Sequence, residues 1–257
     1  MNARQKVEKF NISLNFLLQE KLYFDANALI GIIFPDQKTY EAMDARQKVL
    51  VSSGKLKEAL TFCKKIAGAY PEHQQTVYHK AVDIAYTLKD YSAVIDFANL
   101  ILEVTPEDPV IFLRAVANEE IGKLEQARQD YLTFINYSSH SEKQDSLAEA
   151  YYRVGRLGMI LNLDSSEITP YFLLLFEKNL QHPLCPAAGY WLVSLYLQEH
   201  DITRADAIAD ILFSRYPEDL FREQAELKIA RYEADMGNLE KAEKLLDSLS
   251  KSKNSEI

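Results

Sequence analysis

The sequence predicts an all-α fold, an array of about seven helical hairpins, and three observations carry that expectation. Glycine is scarce, eight in 257 residues where ~7% is usual, which disfavours a turn-dense β protein. A Gly-x-Leu-x-x-Ala segment recurs near a 34-residue period. Prolines keep the same beat, Pro71 to Pro106 spanning 35 residues. A period of this length is the mark of stacked helix–turn–helix units, each of which buries its apolar face only against its neighbours.

The elements follow in order. An N-terminal pair, Lys6 to Leu18 and Tyr23 to Phe34, fits the unit loosely around Ala26. Gly54-Lys-Leu56-Lys-Glu-Ala59 then marks a turn and the start of a second helix, with Ala59, Leu60, Phe62, Cys63 and Ile66 at helical spacing. Val77, Tyr78, Ala81, Val82, Ile84, Ala85 and Leu88 form the next first helix, and a degenerate turn begins at Asp90-Tyr91. Gly122-Lys-Leu124-Glu-Gln-Ala127 lies 68 residues after Gly54, two periods on. Tyr151 to Gly155 begins another first helix; its partner, roughly Thr169 to Leu180, lacks the small residue. Asp201-Ile202-Thr-Arg-Ala205 and Gly237-Asn-Leu239-Glu-Lys-Ala242 close the series. Glycine at each turn supplies a left-handed residue that ends the first helix, and proline opens the next unit where no N–H donor is needed. On this reading all eight prolines fall at junctions. Pro106 to Pro217 exceeds three periods by nine residues, which predicts an irregular insertion around residues 136–186.

These units resemble the tetratricopeptide repeat. The matching positions are Gly54, Leu56, Ala59, Cys63, Ile66 and Pro71; Ala81, Tyr91, Val94, Ala98, Ile101 and Pro106; Gly122, Leu124, Ala127, Tyr131 and Phe134; Ile202, Ala205, Ala209, Leu212 and Pro217; and Gly237, Leu239, Ala242 and Leu246. The resemblance covers about residues 1–250. It implies a single α-solenoid, a right-handed superhelix, followed by a polar tail at residues 251–257. It also implies a concave groove lined by the first helix of each unit.

No catalytic constellation emerges. His73, His79, His140, His182 and His200 stand apart, and no His-Glu-x-x-His, Cys-x-x-Cys, Gly-x-Ser-x-Gly or phosphate loop is present. Two cysteines make neither a disulfide framework nor a four-ligand zinc site. Cys63 reads as a buried inert thiol, and Cys185, between Pro183 and Pro186, reads as an exposed junction residue. The expectation is therefore a protein without enzymatic activity, cofactor or metal. A formal net charge of −9 opposes binding to phosphate backbones, so no nucleic-acid partner is expected. The longest apolar run, Tyr171 to Phe176, is far below the ~20 residues of a membrane span. No secretory signal pattern is found at the N-terminus, which predicts a cytoplasmic protein.

Recognition is what remains. The resemblance places Lys80, Tyr86, Arg114, Tyr152, Arg153, Arg156, Tyr190 and Trp191 on the groove, with Ser194, Lys228 and Arg231 among further inner-face positions. Cations beside aromatics suit an extended peptide with acidic groups. The expected role is a scaffold, adaptor or chaperone-like assembly factor. The alternative is an architectural subunit associating through the solenoid's edges, as a homo-oligomer or within a larger complex. Leu245, Leu246 and Leu249 near the end of the last pair motivate that alternative.

Overall fold

The computed structural model describes residues 3–138 and 144–250. Fourteen α helices occur among them. They are α1 (Ala3–Gln19), α2 (Tyr23–Ile33), α3 (Tyr40–Ser52), α4 (Leu56–Ala69), α5 (Gln74–Thr87), α6 (Tyr91–Leu102), α7 (Asp108–Glu120) and α8 (Leu124–Ser138). After these come α9 (Gln144–Ile160), α10 (Ser165–Lys178), α11 (Cys185–Gln198), α12 (Ile202–Arg215), α13 (Leu220–Asp235) and α14 (Leu239–Ser250). The chain divides into two compact units, Met1–Lys123 and Leu124–Ile257. His140 and the tail at 251–257 lie outside the described residues. No helix among those described is long and apolar enough to cross a membrane.

One local device repeats seven times. Lys21, Gly54, Lys89, Gly122, Asn162, His200 and Gly237 all take a positive φ, between 53° and 82°. Each ends a first helix. The N–H of the following residue reaches back five positions, as in Leu22 to Leu17 O (2.8 Å), Lys55 to Leu50 O (2.9 Å) and Asp201 to Tyr196 O (2.8 Å). The left-handed residue itself donates three positions back, for example Gly54 to Val51 O at 3.0 Å. This pair of bonds is the Schellman motif, which satisfies carbonyls that a helix end leaves open. The two degenerate turns are built one residue earlier than their aspartates suggest. Lys89 and His200 take the left-handed conformation, while Asp90 and Asp201 cap the next helix by accepting from Ala93 N (3.2 Å) and Arg204 N (2.9 Å).

The second helix of one repeat packs against the first helix of the next: α2 on α3, α4 on α5 and α6 on α7 in the first unit; α8 on α9, α10 on α11 and α12 on α13 in the second. Small residues set the contact. Ala26, Ala59, Val94, Ala127 and Ala205 are buried at equivalent places. In the first unit the core runs through Val77, Ala81, Ala85, Phe97, Ala98 and Ile101, with Cys63 buried in it as expected.

Two expectations are corrected in the second unit. Pro170 sits inside α10, as its sixth residue, not at a junction. Its ring removes the N–H that would bond Ser166 and weakens the helix there. Cys185 is fully buried as the first residue of α11. Burial pushes its thiol up, as it does that of Cys63, so neither is poised as a thiolate.

Candidate functional site

In the first unit the candidate side chains come from α5 and α7. Lys80 on α5 bonds Asp44 on α3, and Lys48 pairs with the same carboxylate at 3.0 Å. Burial pushes the Asp44 carboxyl up, but the two lysines outweigh it and hold it below the ordinary aspartate range. Arg114 on α7 donates from Nη1 to Asn99 Oδ1 on α6 at 2.8 Å. Lys80 and Arg114 therefore also tie neighbouring helices together. Tyr86 is 41% exposed, its ring edge-on to Tyr91 at 6.4 Å. His79 Nε2 lies 3.3 Å from the Glu107 carboxylate.

The second unit holds the other five. On α9, Arg153 pairs with Glu149 one turn back at 3.1 Å, and Tyr152 meets Phe172 edge-on at 6.0 Å. Arg156, on the same helix, is half-buried and engaged in an interaction of its own. Tyr190 and Trp191 lie on α11, which packs directly against α13.

A single cluster joins those two helices. Tyr190 and Ser194 are four apart on α11; Phe221 and Lys228 are seven apart on α13, so each pair shares one helix face. Lys228 Nζ donates to Ser194 Oγ at 2.8 Å and to the Tyr190 hydroxyl at 3.4 Å, and lies 5.0 Å from the Tyr190 ring centroid. Ser194 Oγ in turn donates to Tyr190 O at 2.9 Å. The Tyr190 ring meets Trp191 at 5.0 Å and Phe221 at 5.9 Å. The Trp191 indole N–H is shielded from solvent and has no hydrogen-bond acceptor among the described residues. No carboxylate among them pairs with Lys228, a half-buried cation surrounded by hydroxyls and rings. Such a cation favours an incoming anion, because no carboxylate among the described residues neutralises its charge.

Sequence reasoning placed Lys228 on the inner face without selecting it, and it missed Phe221. Their seven-residue spacing on one helix was the available signal; the pairing of α11 with α13 was not readable. Among the described residues, no three His, Cys, Asp or Glu side chains gather as metal ligands.

No protein-family profile matches the chain, and no curated protein sequence matches it. Solved structures do. A crystal structure of YrrB, described as "a TPR protein with an unusual peptide-binding site", superposes with a TM-score of 0.57 at 15% identity, covering 76% of this chain and 95% of that one. A tetratricopeptide repeat protein from Parabacteroides merdae gives a TM-score of 0.53 at 14% identity over 98% of this chain and 95% of its own. The fold is that of the tetratricopeptide repeat. A crystal structure of MamA protein agrees, with a TM-score of 0.57 at 18% identity, covering 70% of this chain and 91% of that chain. Within this fold Tyr190, Trp191, Ser194, Phe221 and Lys228 all belong to first helices of consecutive repeats, the place the sequence resemblance assigned to recognition.

Proposed function

We propose that this chain is a non-enzymatic interaction scaffold, an adaptor or assembly factor working in the cytoplasm. It captures an extended segment of a partner protein that bears acidic groups. The anchor is the α11–α13 cluster: Lys228 receives a carboxylate, while Tyr190, Trp191 and Phe221 receive an adjacent apolar or aromatic side chain. In the second unit, Tyr152, Arg153 and Arg156 are the further contact residues of this reading; in the first, Lys80, Tyr86 and Arg114 form a candidate contact face of their own. The observation that carries it is the half-buried ammonium of Lys228, held by a hydroxyl pair and a ring instead of by a carboxylate. The peptide-binding site in the printed description of YrrB supports a peptide ligand by analogy of fold. The −9 net charge supports a protein partner over a nucleic acid.

Selection from a displayed library of acidic dodecapeptides tests the reading. Wild type should enrich a family of sequences. Lys228→Glu should weaken their binding at least about tenfold, the scale of a lost charge-assisted contact. Lys57→Glu, on the outer helix α4, should leave it unchanged. No enrichment by wild type, or equal binding by Lys228→Glu, would overturn the assignment.

A further inference from the structure

Comparing each repeat with its equivalents isolates the faces that stacking covers. Four residues after the buried small or aliphatic residue of each second helix stand Ile30, Cys63, Ala98, Tyr131, Phe172 and Ala209, and all six are buried. The equivalent in α14 is Leu246, four after Ala242, and it is 47% exposed. Each of the six is covered in the same way, since α2, α4, α6, α8, α10 and α12 each carry the next first helix. Leu239, exposed on the same helix, extends the uncovered face.

The opposite end shows the converse. Five residues before the left-handed turn residue, five of the later first helices carry Val49, Ile84, Ala117, Leu157 and Leu195, all buried, and α13 carries the half-buried Tyr232. The equivalent in α1 is Phe16, 58% exposed. Ile12, one turn earlier, is exposed as well, while Phe10 and Leu14 stay buried against the rest of the first unit. Among the described residues, no helix covers Ile12 and Phe16 of α1 or Leu239 and Leu246 of α14.

The uncovered face of a stacked repeat is ordinarily polar; those of α1 and α14 expose Ile12, Phe16, Leu239 and Leu246. Residues 251–257, Lys-Ser-Lys-Asn-Ser-Glu-Ile, contain one apolar side chain, whereas the helices that cover this face elsewhere bury several each. Charge favours a different occupant. On α1, Lys6 and Lys9 stand against Glu8 alone. On α14, Lys241 is committed to Asp206 and Glu233, and Lys244 to Glu240, which leaves Glu243 and Asp247 without an ion pair among the described residues.

We propose that the exposed face of α14 receives α1 of a second copy of this chain, continuing the repeat stack from one molecule to the next. The contact is heterologous, joining two different surfaces. Lys9 occupies the register position filled by Ala42, Val77, Val110, Ala150, Ala188 and Ala225 in later first helices. The intermolecular contact is therefore weaker than the internal ones, reversible, and sensitive to salt through Glu243 and Asp247. This proposal is independent of the peptide site on α11 and α13.

Light scattering after size exclusion, up to about 0.5 mM chain, tests it with two variants whose exposed positions leave the internal core intact. Wild-type mass should rise with concentration. Phe16→Glu and Leu246→Glu should each stay monomeric while keeping the wild-type circular dichroism and melting temperature. An equimolar mixture of the two should give a complex of two chains and no larger one, because each variant retains the face the other needs. A monomeric wild type would overturn the proposal. So would self-association of Phe16→Glu, which would indicate α14 pairing with α14, or a mixture that stays monomeric.

Discussion

The first unit and the α9–α10 repeat of the second solve the same packing problem with opposite assignments of large and small side chains. In the first unit the second helices contribute the small partners, Ala59 and Cys63, then Val94 and Ala98. In α10 of the second unit the equivalents are Ile168 and Phe172, and the first helix α9 gives way instead. A Cβ on Gly155 would stand 2.7 Å from the Phe172 ring, and one on Gly158 would stand 2.8 Å from Ile168 Cγ1. Gly189 on α11 is similarly placed against Leu212 and Phe176. Turn spacing follows the same division. The left-handed residues are 33, 35 and 33 apart from Lys21 to Gly122, then 40, 38 and 37 apart to Gly237. A close helix–helix approach is thus reached in both regions, while the helix that supplies the small residue is free to change.

The largest expected effect is Phe172→Ala, which should cost about 3–5 kcal/mol because the glycines opposite it cannot fill the cavity. Its counterpart Cys63→Ala should cost only about 1–2 kcal/mol, since one sulfur and the hydrogen bond it accepts from Gln47 Nε2 are removed. Equal losses in urea denaturation would mean the two units are packed alike. Next comes Gly155→Ala. The substitution gains helix propensity of about 1 kcal/mol but forces Phe172 from its place, and a net destabilisation of about 1–3 kcal/mol is expected. A raised melting temperature would show that the close approach is absent.

Asp44 provides an effect of intermediate size, confined to the first unit. Its carboxyl is held below the ordinary range by Lys80 and Lys48. The stabilisation it contributes is therefore present above the ordinary aspartate range and lost as the pH falls through and below it, from about pH 5 to pH 2. Asp44→Asn should lower the melting temperature at pH 7 and flatten the acid limb of its pH dependence; parallel curves for the two proteins would remove Asp44 from the account. The smallest effect is expected at Lys89, whose φ of 57° carries the strain of a side chain in the left-handed region. Lys89→Gly should stabilise by about 0.5–1 kcal/mol once the added freedom of the unfolded glycine is subtracted. Calorimetry showing a loss would contradict the turn geometry.

Much of this was legible in the sequence where a residue's conformation is nearly unique to its type. Gly54, Gly122 and Gly237 announced three of the seven turns. Asp90 and Asp201 announced two more, though as helix caps and not as the left-handed residues, because Lys89 and His200 give no compositional signal of a positive φ. The absent alanine of α10 was visible, but its compensation by Gly155 and Gly158 requires knowing which helices meet. Pro170 looked like a junction because a helix interior ordinarily excludes it. The candidate site was half legible. Tyr190 and Trp191 were found from their place on a first helix, whereas the importance of Lys228 depends on what faces it, a property of two helices and not of one.

Trp191 is the chain's only tryptophan and touches Tyr190 within the proposed site, so its fluorescence reports on the central claim. Titration of an enriched acidic peptide into wild type should produce a saturable change in Trp191 emission, with the binding constant found independently by calorimetry. In Lys228→Glu that change should disappear over the same peptide range. Tight calorimetric binding that leaves Trp191 emission unaltered, and is unaffected by Lys228→Glu, would contradict the placement of the site on α11 and α13.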